Sequence, residues 1–199
     1  MCNLYAQTKS QDAMRQVFRN VLEEDEDLID TTGNLASAPG IFPDYPAPII
    51  RRRPDRNWTL TTARWGMPTP PVYLTGKRTD PGVTNIRNVS SPHWRRWLDV
   101  EHRCLVPFTS FSEVDARPGA PRNNPVWFAL GQDRPLACFA GIRTEWTAVR
   151  KLKEGEVTAE LFGFLTCEPN DAVRPVHPKA MPVILTKPEE WRCWLTADA

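Results

Sequence analysis

The alternation of apolar and polar positions along the chain predicts a set of short strands. Residues Trp58–Trp65 alternate between apolar and polar side chains, which is the pattern of a half-buried strand. Five further segments are short, rich in Phe, Val and Ile, and bounded by Pro, Gly or Asn, as is typical of strands. They are residues 104–114, 126–130, 136–143, 161–167 and 181–185.

Helical spacing of apolar residues predicts three short helices between these strands. Met14, Phe18 and Leu22 recur on one face of the first helix, and Trp191 and Leu195 do so in the last. The first helix is expected over residues 8–24, with Thr8 and Gln11 as a capping box. The second is expected over residues 91–99, with Ser91 as N-cap and Pro92 at the first position. The final helix is expected to start with a capping box at residues 186–189.

Proline is unusually frequent and limits the fold class. The chain has 20 prolines in 199 residues, about twice the average share of ~5%. Because proline breaks helices and central strands, this content excludes long helical bundles and coiled coils. Residues 33–48, rich in Gly, Pro and Ala, are expected to be irregular. We predict one α+β domain over residues 1–199, with a twisted, mostly antiparallel sheet or barrel-like core and short flanking helices.

The net charge of +1 excludes a protein that binds nucleic acid by overall charge, but it allows a local basic groove. Arg51, Arg52 and Arg53 form one basic cluster, and we expect them to contact phosphates. No apolar run approaches the ~18 residues of a membrane helix, and the N-terminus lacks a signal-peptide pattern. The sequence therefore predicts a cytoplasmic protein with no membrane partner.

The five cysteines are widely spaced and odd in number, which argues against a disulfide framework. Three histidines, none of them four residues apart, argue against a zinc site, so we expect no metal and no cofactor. Four cysteines lie in apolar patterns and are expected to be buried, namely Cys104, Cys138, Cys167 and Cys193.

Cys2 stands apart from the other cysteines because removal of the initiator methionine would place it at the N-terminus. An N-terminal cysteine combines an α-amine of pKa ~7.7–8 with a neighbouring thiol of pKa ~8.5. An aldehyde can react with both groups, first as a Schiff base and then as a thiazolidine ring. On its own, however, a cysteine at position 2 is more often an ordinary small apolar residue.

Four further segments accompany Met1-Cys2 in a fixed order along the chain. They are residues 65–68 (Trp-Gly-Met-Pro), 85–88 (Asn-Ile-Arg-Asn), 103–113 and 175–185. Together they resemble the SRAP family (SOS response-associated peptidases), DNA-damage proteins that crosslink to abasic sites through a cysteine at position 2. The resemblance covers nearly the whole chain.

The resemblance implies a role for each matching residue. Cys2 matches the nucleophile, Asn85 the asparagine that orients the N-terminal residue, Glu113 the acid/base glutamate and His177 the active-site histidine. Arg87 matches an arginine that contacts the DNA backbone, and Trp65 matches a tryptophan beside the DNA cleft.

These residue types suit the implied reaction. A carboxylate can take the ammonium proton, and a histidine titrating near neutral pH can serve the later proton transfers. We therefore predict a monomer that crosslinks to abasic sites in single-stranded or junction DNA through a Cys2 thiazolidine. The resemblance also implies autopeptidase removal of Met1.

Three alternatives remain open from the sequence. One is a cysteine peptidase that acts on proteins through Cys2, His177 and Asn85. Another is a non-covalent reader of modified DNA bases. The third is a family member that keeps the fold but has lost the chemistry through local changes, such as Asn3-Leu4-Tyr5 and Val114.

Overall fold

The computed structural model describes residues 2–198, which form thirteen strands, three α-helices and one 3-10 turn. The strands are β1 Leu4–Gln7, β2 Leu28–Asp30, β3 Ala38–Ile41, β4 Pro46–Arg52, β5 Trp58–Trp65, β6 Asn85–Ile86, β7 Arg103–Phe108, β8 Ser110–Val114, β9 Pro125–Phe128, β10 Ala137–Val149, β11 Glu156–Cys167, β12 Met181–Pro182 and β13 Ile184–Leu185. The helices are α1 Gln11–Arg19, α2 Pro92–Arg95 and α3 Pro188–Thr196, and the 3-10 turn is Pro71–Tyr73.

Five strands close into a barrel in the order β4, β5, β11, β10, β7 and back to β4. All of these pairings are antiparallel except that of β5 with β11. Closure leaves the five strands without a free edge, which makes the barrel a rigid support for a site at one of its ends. The predicted α+β fold with a barrel-like, mostly antiparallel core is confirmed.

Aromatic side chains fill the barrel interior. Tyr5, Trp65, Phe139, Phe162 and Phe164 have no exposed surface. The ring centroids of Phe139 and Phe164 lie 4.6 Å apart. Such packing gives the interior a single arrangement of side chains, so residues anchored on it have fixed positions.

A second, antiparallel sheet has the strand order β3-β1-β8-β9 and joins the barrel at Thr109. The sequence predicts one strand over residues 104–114, but the structure divides it into β7 and β8. The Thr109 amide donates a 2.8 Å hydrogen bond to the carbonyl of Ala6, and from this point the chain pairs with β1. The division places Glu113 beside the N-terminal strand.

The helices are shorter than predicted and differ at their starts. Ser10 caps α1 by accepting from the Ala13 amide at 3.2 Å, so the predicted Thr8–Gln11 capping box is wrong. In α3 the N-cap is Lys187, with Glu190 as its capping-box partner. Each of these two helices has nine residues, and no helix within residues 2–198 has the length and apolar character of a membrane span.

Candidate active site at the N-terminal cysteine

Cys2 lies just before β1 and is fixed against β6. Its carbonyl oxygen accepts a 2.7 Å hydrogen bond from Nδ2 of Asn85. Its Sγ atom donates to the Leu4 carbonyl at 3.5 Å, and only 1% of the residue is exposed. Residue 2 is therefore part of the folded body.

Asn85 owes its position to β6, which pairs in parallel with β11 at Phe164. Its Nδ2 atom also donates to Oγ1 of Thr84 at 2.8 Å, and that hydroxyl donates to Oδ1 of Asn3 at 3.3 Å. Among residues 2–198, the buried Oδ1 of Asn85 has no hydrogen-bond partner. The side-chain amide of Asn85 thus orients Cys2 through Nδ2, and its Oδ1 atom is an acceptor beside Cys2 that no described residue uses.

Trp65 supports this arrangement from inside the barrel. Its Nε1 atom donates to the Thr84 carbonyl at 3.2 Å, and its ring stacks on Phe164 with centroids 5.2 Å apart. The resemblance implies a tryptophan beside the DNA cleft, but the Trp65 side chain is completely buried. A ring without exposed surface cannot stack on a DNA base. The role of Trp65 is instead to fix the Thr84–Asn85 segment through its hydrogen bond to the Thr84 carbonyl.

Glu113 and His177 form an acid–base pair near the N-terminal strand. Glu113 comes from β8 and is 2% exposed, and Nδ1 of His177 lies 3.8 Å from its Oε2 atom. The His177 backbone is fixed by a 2.8 Å hydrogen bond to the Val173 carbonyl. Burial raises the pKa of Glu113 and lowers the pKa of His177. The two shifts bring the pKa values of the carboxyl and the imidazole closer to each other, as suits proton transfer between them.

The Cys2 thiol is held in its protonated form. Burial, together with the negative charge of Glu113, raises the pKa of Cys2 to about 12. A thiol is a weak nucleophile compared with a thiolate, so this sulfur needs a base at the moment it reacts. Leu4, two residues after Cys2, is opposite Ser112 in the β1–β8 pair, so Glu113 on β8 is the neighbouring carboxylate.

The complete chain, residues 1–199, matches the family model described as SOS response associated peptidase (SRAP). The chain belongs to the SRAP family. No curated protein matches it.

Three solved structures with the same fold as this SRAP chain come from two bacteria. A protein from Bordetella bronchiseptica is 23% identical with a TM-score of 0.66, over 99% of this chain and 89% of that one. A phage-related protein from the same organism is 21% identical with a TM-score of 0.62, over 98% and 81%. A protein from Bacteroides thetaiotaomicron is 20% identical with a TM-score of 0.61, also over 98% and 81%.

Arg87 lies at the edge of the SRAP site, two residues after Asn85. Its side chain is 47% exposed, and its guanidinium contacts the Glu168 carboxylate and the Lys179 carbonyl. The structure therefore brings Arg87 next to the segment that leads from His177 to β12. The guanidinium is accessible, although a phosphate would have to compete with Glu168 for it.

The basic cluster of Arg51, Arg52 and Arg53 lies elsewhere. Arg52 is opposite Trp58 in the β4–β5 pair, whereas the site is built around Trp65 at the other end of β5. Seven residue steps along a strand span roughly 23 Å. Contrary to the expectation that these arginines contact phosphates around the same reaction, they lie at the opposite end of the barrel from Cys2.

The remaining cysteines divide into two groups. Cys104 and Cys138 are buried as predicted, but Cys167 and Cys193 are exposed, so the prediction is wrong for those two. Cys167 is the last residue of β11, and Cys193 lies on the exposed side of α3, between the buried Trp191 and Leu195. Within residues 2–198, no group of three or more His, Cys, Asp or Glu side chains is placed to bind a metal ion.

Arg150 is a structural part of the site that the sequence pattern does not reveal. Its side chain is 3% exposed and donates to the carbonyl of Gly66 at 3.0 Å and of Pro81 at 3.4 Å. It also forms an ion pair with Asp44 at 3.1 Å. These contacts fix both ends of the segment that leads to Asn85. A lone arginine after a strand carries no signal for this role, because its partners are distant in sequence.

Phe42 and Tyr45 are a second feature that the sequence does not single out. They are 46% and 52% exposed, and their ring centroids lie 5.6 Å apart. The Tyr45 carbonyl accepts from the Trp65 amide at 3.0 Å, which places the pair at the same end of the barrel as Cys2. Two exposed aromatic rings at this end provide a surface on which bases can stack.

Proposed function

We propose that this SRAP protein crosslinks to abasic sites in single-stranded DNA through Cys2 and thereby shields the lesion. The observation that carries the proposal is the hydrogen bond from Asn85 to the Cys2 carbonyl, which fixes Cys2 at the start of the strand that pairs with the Glu113 strand. A site of this kind, with one fixed nucleophile and an adjacent acid–base pair, suits capture of an aldehyde. Membership of the SRAP family supports a place in the response to DNA damage.

The first step is exposure of the α-amine. Hydrolysis of the Met1–Cys2 peptide bond adds one water across that bond and leaves Cys2 as the first residue. The acid–base pair of Glu113 and His177 is suited to this proton transfer, which agrees with the word peptidase in the family description. A chain that keeps Met1 has no free amine on Cys2 and does not form the crosslink.

The crosslink itself forms with loss of one water molecule. The neutral amine attacks the C1′ aldehyde carbon of the open sugar, and Glu113 passes the ammonium proton to the alkoxide oxygen, which gives a carbinolamine. His177 then protonates the hydroxyl, which leaves as water, and takes back the remaining N–H proton, so that an imine remains. The sulfur then adds to the same carbon, while the thiol proton passes through Glu113 to the imine nitrogen. Carbon–nitrogen and carbon–sulfur bonds form, the carbon–oxygen bond breaks, and nothing is oxidised.

The protonated state of the Cys2 thiol determines the order in which the amine and the sulfur react. With a pKa of about 12, the Cys2 sulfur is largely unreactive until a base accepts its proton. The amine therefore reacts first with the aldehyde, and ring closure follows when Glu113 has become a carboxylate again. The same burial protects the thiol from oxidation while no DNA is bound.

Contacts to the DNA are assigned to groups around the same end of the barrel. Phe42 and Tyr45 offer exposed rings to the bases beside the lesion. Arg87 offers a half-exposed guanidinium to a phosphate, in exchange for its contact with Glu168. Base stacking needs unpaired bases, which favours single-stranded DNA or the single-stranded part of a junction.

The test mixes the purified protein with single-stranded DNA that carries one abasic site and separates the products on a denaturing gel. Intact mass first establishes that the protein begins at Cys2. The Cys2→Ala variant removes the nucleophile, and Cys193→Ala is the matched control because that cysteine is exposed and lies on α3. We expect a heat-resistant shifted band with wild type and Cys193→Ala, and none with Cys2→Ala or intact DNA.

No band from a wild-type protein that begins at Cys2 overturns the proposal. Non-covalent binding to modified DNA that survives in Cys2→Ala would then favour a reader of modified bases. Cleavage of unrelated peptides that is lost in Cys2→Ala would favour a peptidase that acts on proteins.

A further inference from the structure

We propose that a second site, at the far end of the barrel from Cys2, binds a phosphate group. The site is a cavity of about 220 Å³ between the end of β4, the segment before β7 and the end of α3. Arg52, Arg53 and Arg143 line it. It shares no residue with the site at Cys2, so the proposal stands independently of the crosslinking reaction.

Several guanidinium groups around this cavity share a carboxylate partner, and Arg53 pairs with Asp55 at 3.1 Å. Glu160 accepts from Nη1 of Arg143 at 3.0 Å and also lies 3.6 Å from Nε of Arg51. One carboxylate thus serves two guanidinium groups. Burial and the nearby charge of Arg143 lower the pKa of Arg51, which reflects the crowding of positive charge here.

Arg52, which also lines the cavity, shares its carboxylate partner with another arginine. Its Nε atom lies 3.8 Å from Glu26, but that carboxylate already accepts from Nη2 of Arg192 at 2.7 Å. Within residues 2–198, Nε of Arg52 is buried without a hydrogen-bond partner. The Arg52 side chain is 24% exposed, so part of it faces the cavity or solvent. Its buried Nε atom lies toward Glu26, so a contact with a ligand is made by the exposed part of the side chain.

The lining as a whole carries a net positive charge. Among the described residues that line the cavity there are three arginines and one acid, Glu101. The Glu101 carbonyl accepts from Nη2 of Arg143 at 2.8 Å and so helps to fix that arginine. Arginine donors in a fixed arrangement are the groups that bind phosphate oxygens best, because each guanidinium can make two parallel hydrogen bonds.

The size of the cavity limits the ligand to a compact anion. Sites for drug-sized molecules typically measure ~300–1,000 Å³, and this one is smaller. It fits one phosphate group and part of an attached sugar. The apolar side chains of Val100 and Leu195 line the same cavity and would contact the C–H groups of that sugar. The phosphate could belong to a DNA backbone, a free nucleotide or inorganic phosphate, since all three present the same oxygens.

The experiment titrates the full-length protein with three probes at constant ionic strength and follows backbone amide signals of Val100 and Glu101 by NMR. The probes are inorganic phosphate, thymidine 5′-monophosphate and an unmodified ten-nucleotide oligothymidylate. The test variant is Arg52→Gln/Arg53→Gln. Arg122→Gln is the matched control, because Arg122 is an exposed arginine in the loop between β8 and β9.

We expect saturable shifts at Val100 and Glu101 that the control keeps. In the double variant the Kd should rise about tenfold or more, as follows from the loss of charge-assisted hydrogen bonds. Binding of all three probes identifies the phosphate group alone as the ligand, and binding of the oligonucleotide only identifies a DNA backbone phosphate. If the double variant does not fold, Arg53→Gln replaces it, because that side chain is 42% exposed. The absence of saturable binding, or an unchanged Kd in the variants, overturns the proposal.

Discussion

Nδ2 of Asn85 lies 2.7 Å from the carbonyl oxygen of Cys2, although 83 residues separate the two in sequence. This contact makes the position of the proposed nucleophile, Cys2, depend on one side chain. In Asn85→Ala the buried carbonyl loses its donor, which costs about 1–3 kcal/mol. We expect the crosslinking rate to fall about 5- to 150-fold, in line with that free energy.

Single-turnover crosslinking to an abasic oligonucleotide measures this effect. Asn88→Ala is the matched control, since Asn88 is an exposed asparagine three residues further along the same segment. Equal rates in both variants would show that the Asn85 contact does not position Cys2 for reaction.

Replacement of Gly82 is expected to destabilise the protein because of Arg150. Gly82 has φ +75°, and a Cβ atom there would lie 2.2 Å from Nη2 of Arg150. Gly76 has the same φ of +75° with no atom within 4 Å, so Gly76→Ala measures the backbone strain alone, about 1–2 kcal/mol. Gly82→Ala should cost about 1–3 kcal/mol more, because the guanidinium must leave the Gly66 and Pro81 carbonyls.

Urea denaturation of both glycine variants checks this prediction. The extra cost of Gly82→Ala should disappear when Arg150 is also replaced by alanine, since the clash then has no partner. Equal free energies of unfolding for the two single variants would contradict it.

The buried carboxyl of Glu113 should make stability depend on pH. Burial raises the pKa of Glu113 in the folded state, so the folded protein holds this proton more tightly than the unfolded chain does. The stabilisation is present below the unfolded pKa of ~4.3 and is lost as pH rises through the folded pKa. Glu113→Gln cannot ionise, so its stability relative to wild type should increase with pH across that interval.

Thermal unfolding of Glu113→Gln and wild type from pH 4 to pH 8 tests this. Glu156→Gln is the control, because Glu156 is an exposed residue on β11. A stability difference between Glu113→Gln and wild type that stays constant with pH would mean that burial does not perturb this carboxyl.

The Cys2 thiol should resist alkylation in the folded protein. With a pKa of about 12, only about one Cys2 thiol in ten thousand is a thiolate at pH 8. The exposed Cys193 should therefore react with iodoacetamide at least ~100 times faster than the buried Cys2. Peptide mass spectrometry over a time course measures both rates.

Denatured protein provides the reference for this comparison, since both thiols are then accessible and should react at similar rates. Alkylation of Cys2 in the folded protein as fast as that of Cys193 would rule out the buried, protonated thiol.

The sequence predicts most strands of the barrel but misses β4, Pro46–Arg52. Two prolines in this segment argue against a strand in the middle of a sheet. The structure accommodates them because β4 pairs with β7 only at Ile50, so Pro46 and Pro48 need no amide on that side. Whether a strand tolerates proline depends on which of its amides pair with the neighbouring strand. The local sequence does not show that pairing.

The prediction that Trp65 lies beside the DNA cleft is wrong for the same reason, because the local sequence does not show which residues surround the ring. Its place in a Trp-Gly-Met-Pro motif identifies it as part of the site but does not tell on which side of β5 its ring lies. Barrel closure turns the ring inward, where Tyr5 and Phe164 surround it. Phe42 and Tyr45, in a segment expected to be irregular, provide the exposed aromatic surface instead.

The long separation between Cys2 and its partners has a consequence during protein synthesis. Translation proceeds from the N-terminus at about 5–20 residues per second, so the thiol leaves the ribosome long before Glu113 and His177 exist. A nascent chain carries the cysteine without Asn85 to orient it or a base to accept its proton. The site proposed for crosslinking is thus assembled only when nearly the whole chain has been made, and until then any aldehyde would meet a thiol without its acid–base partners.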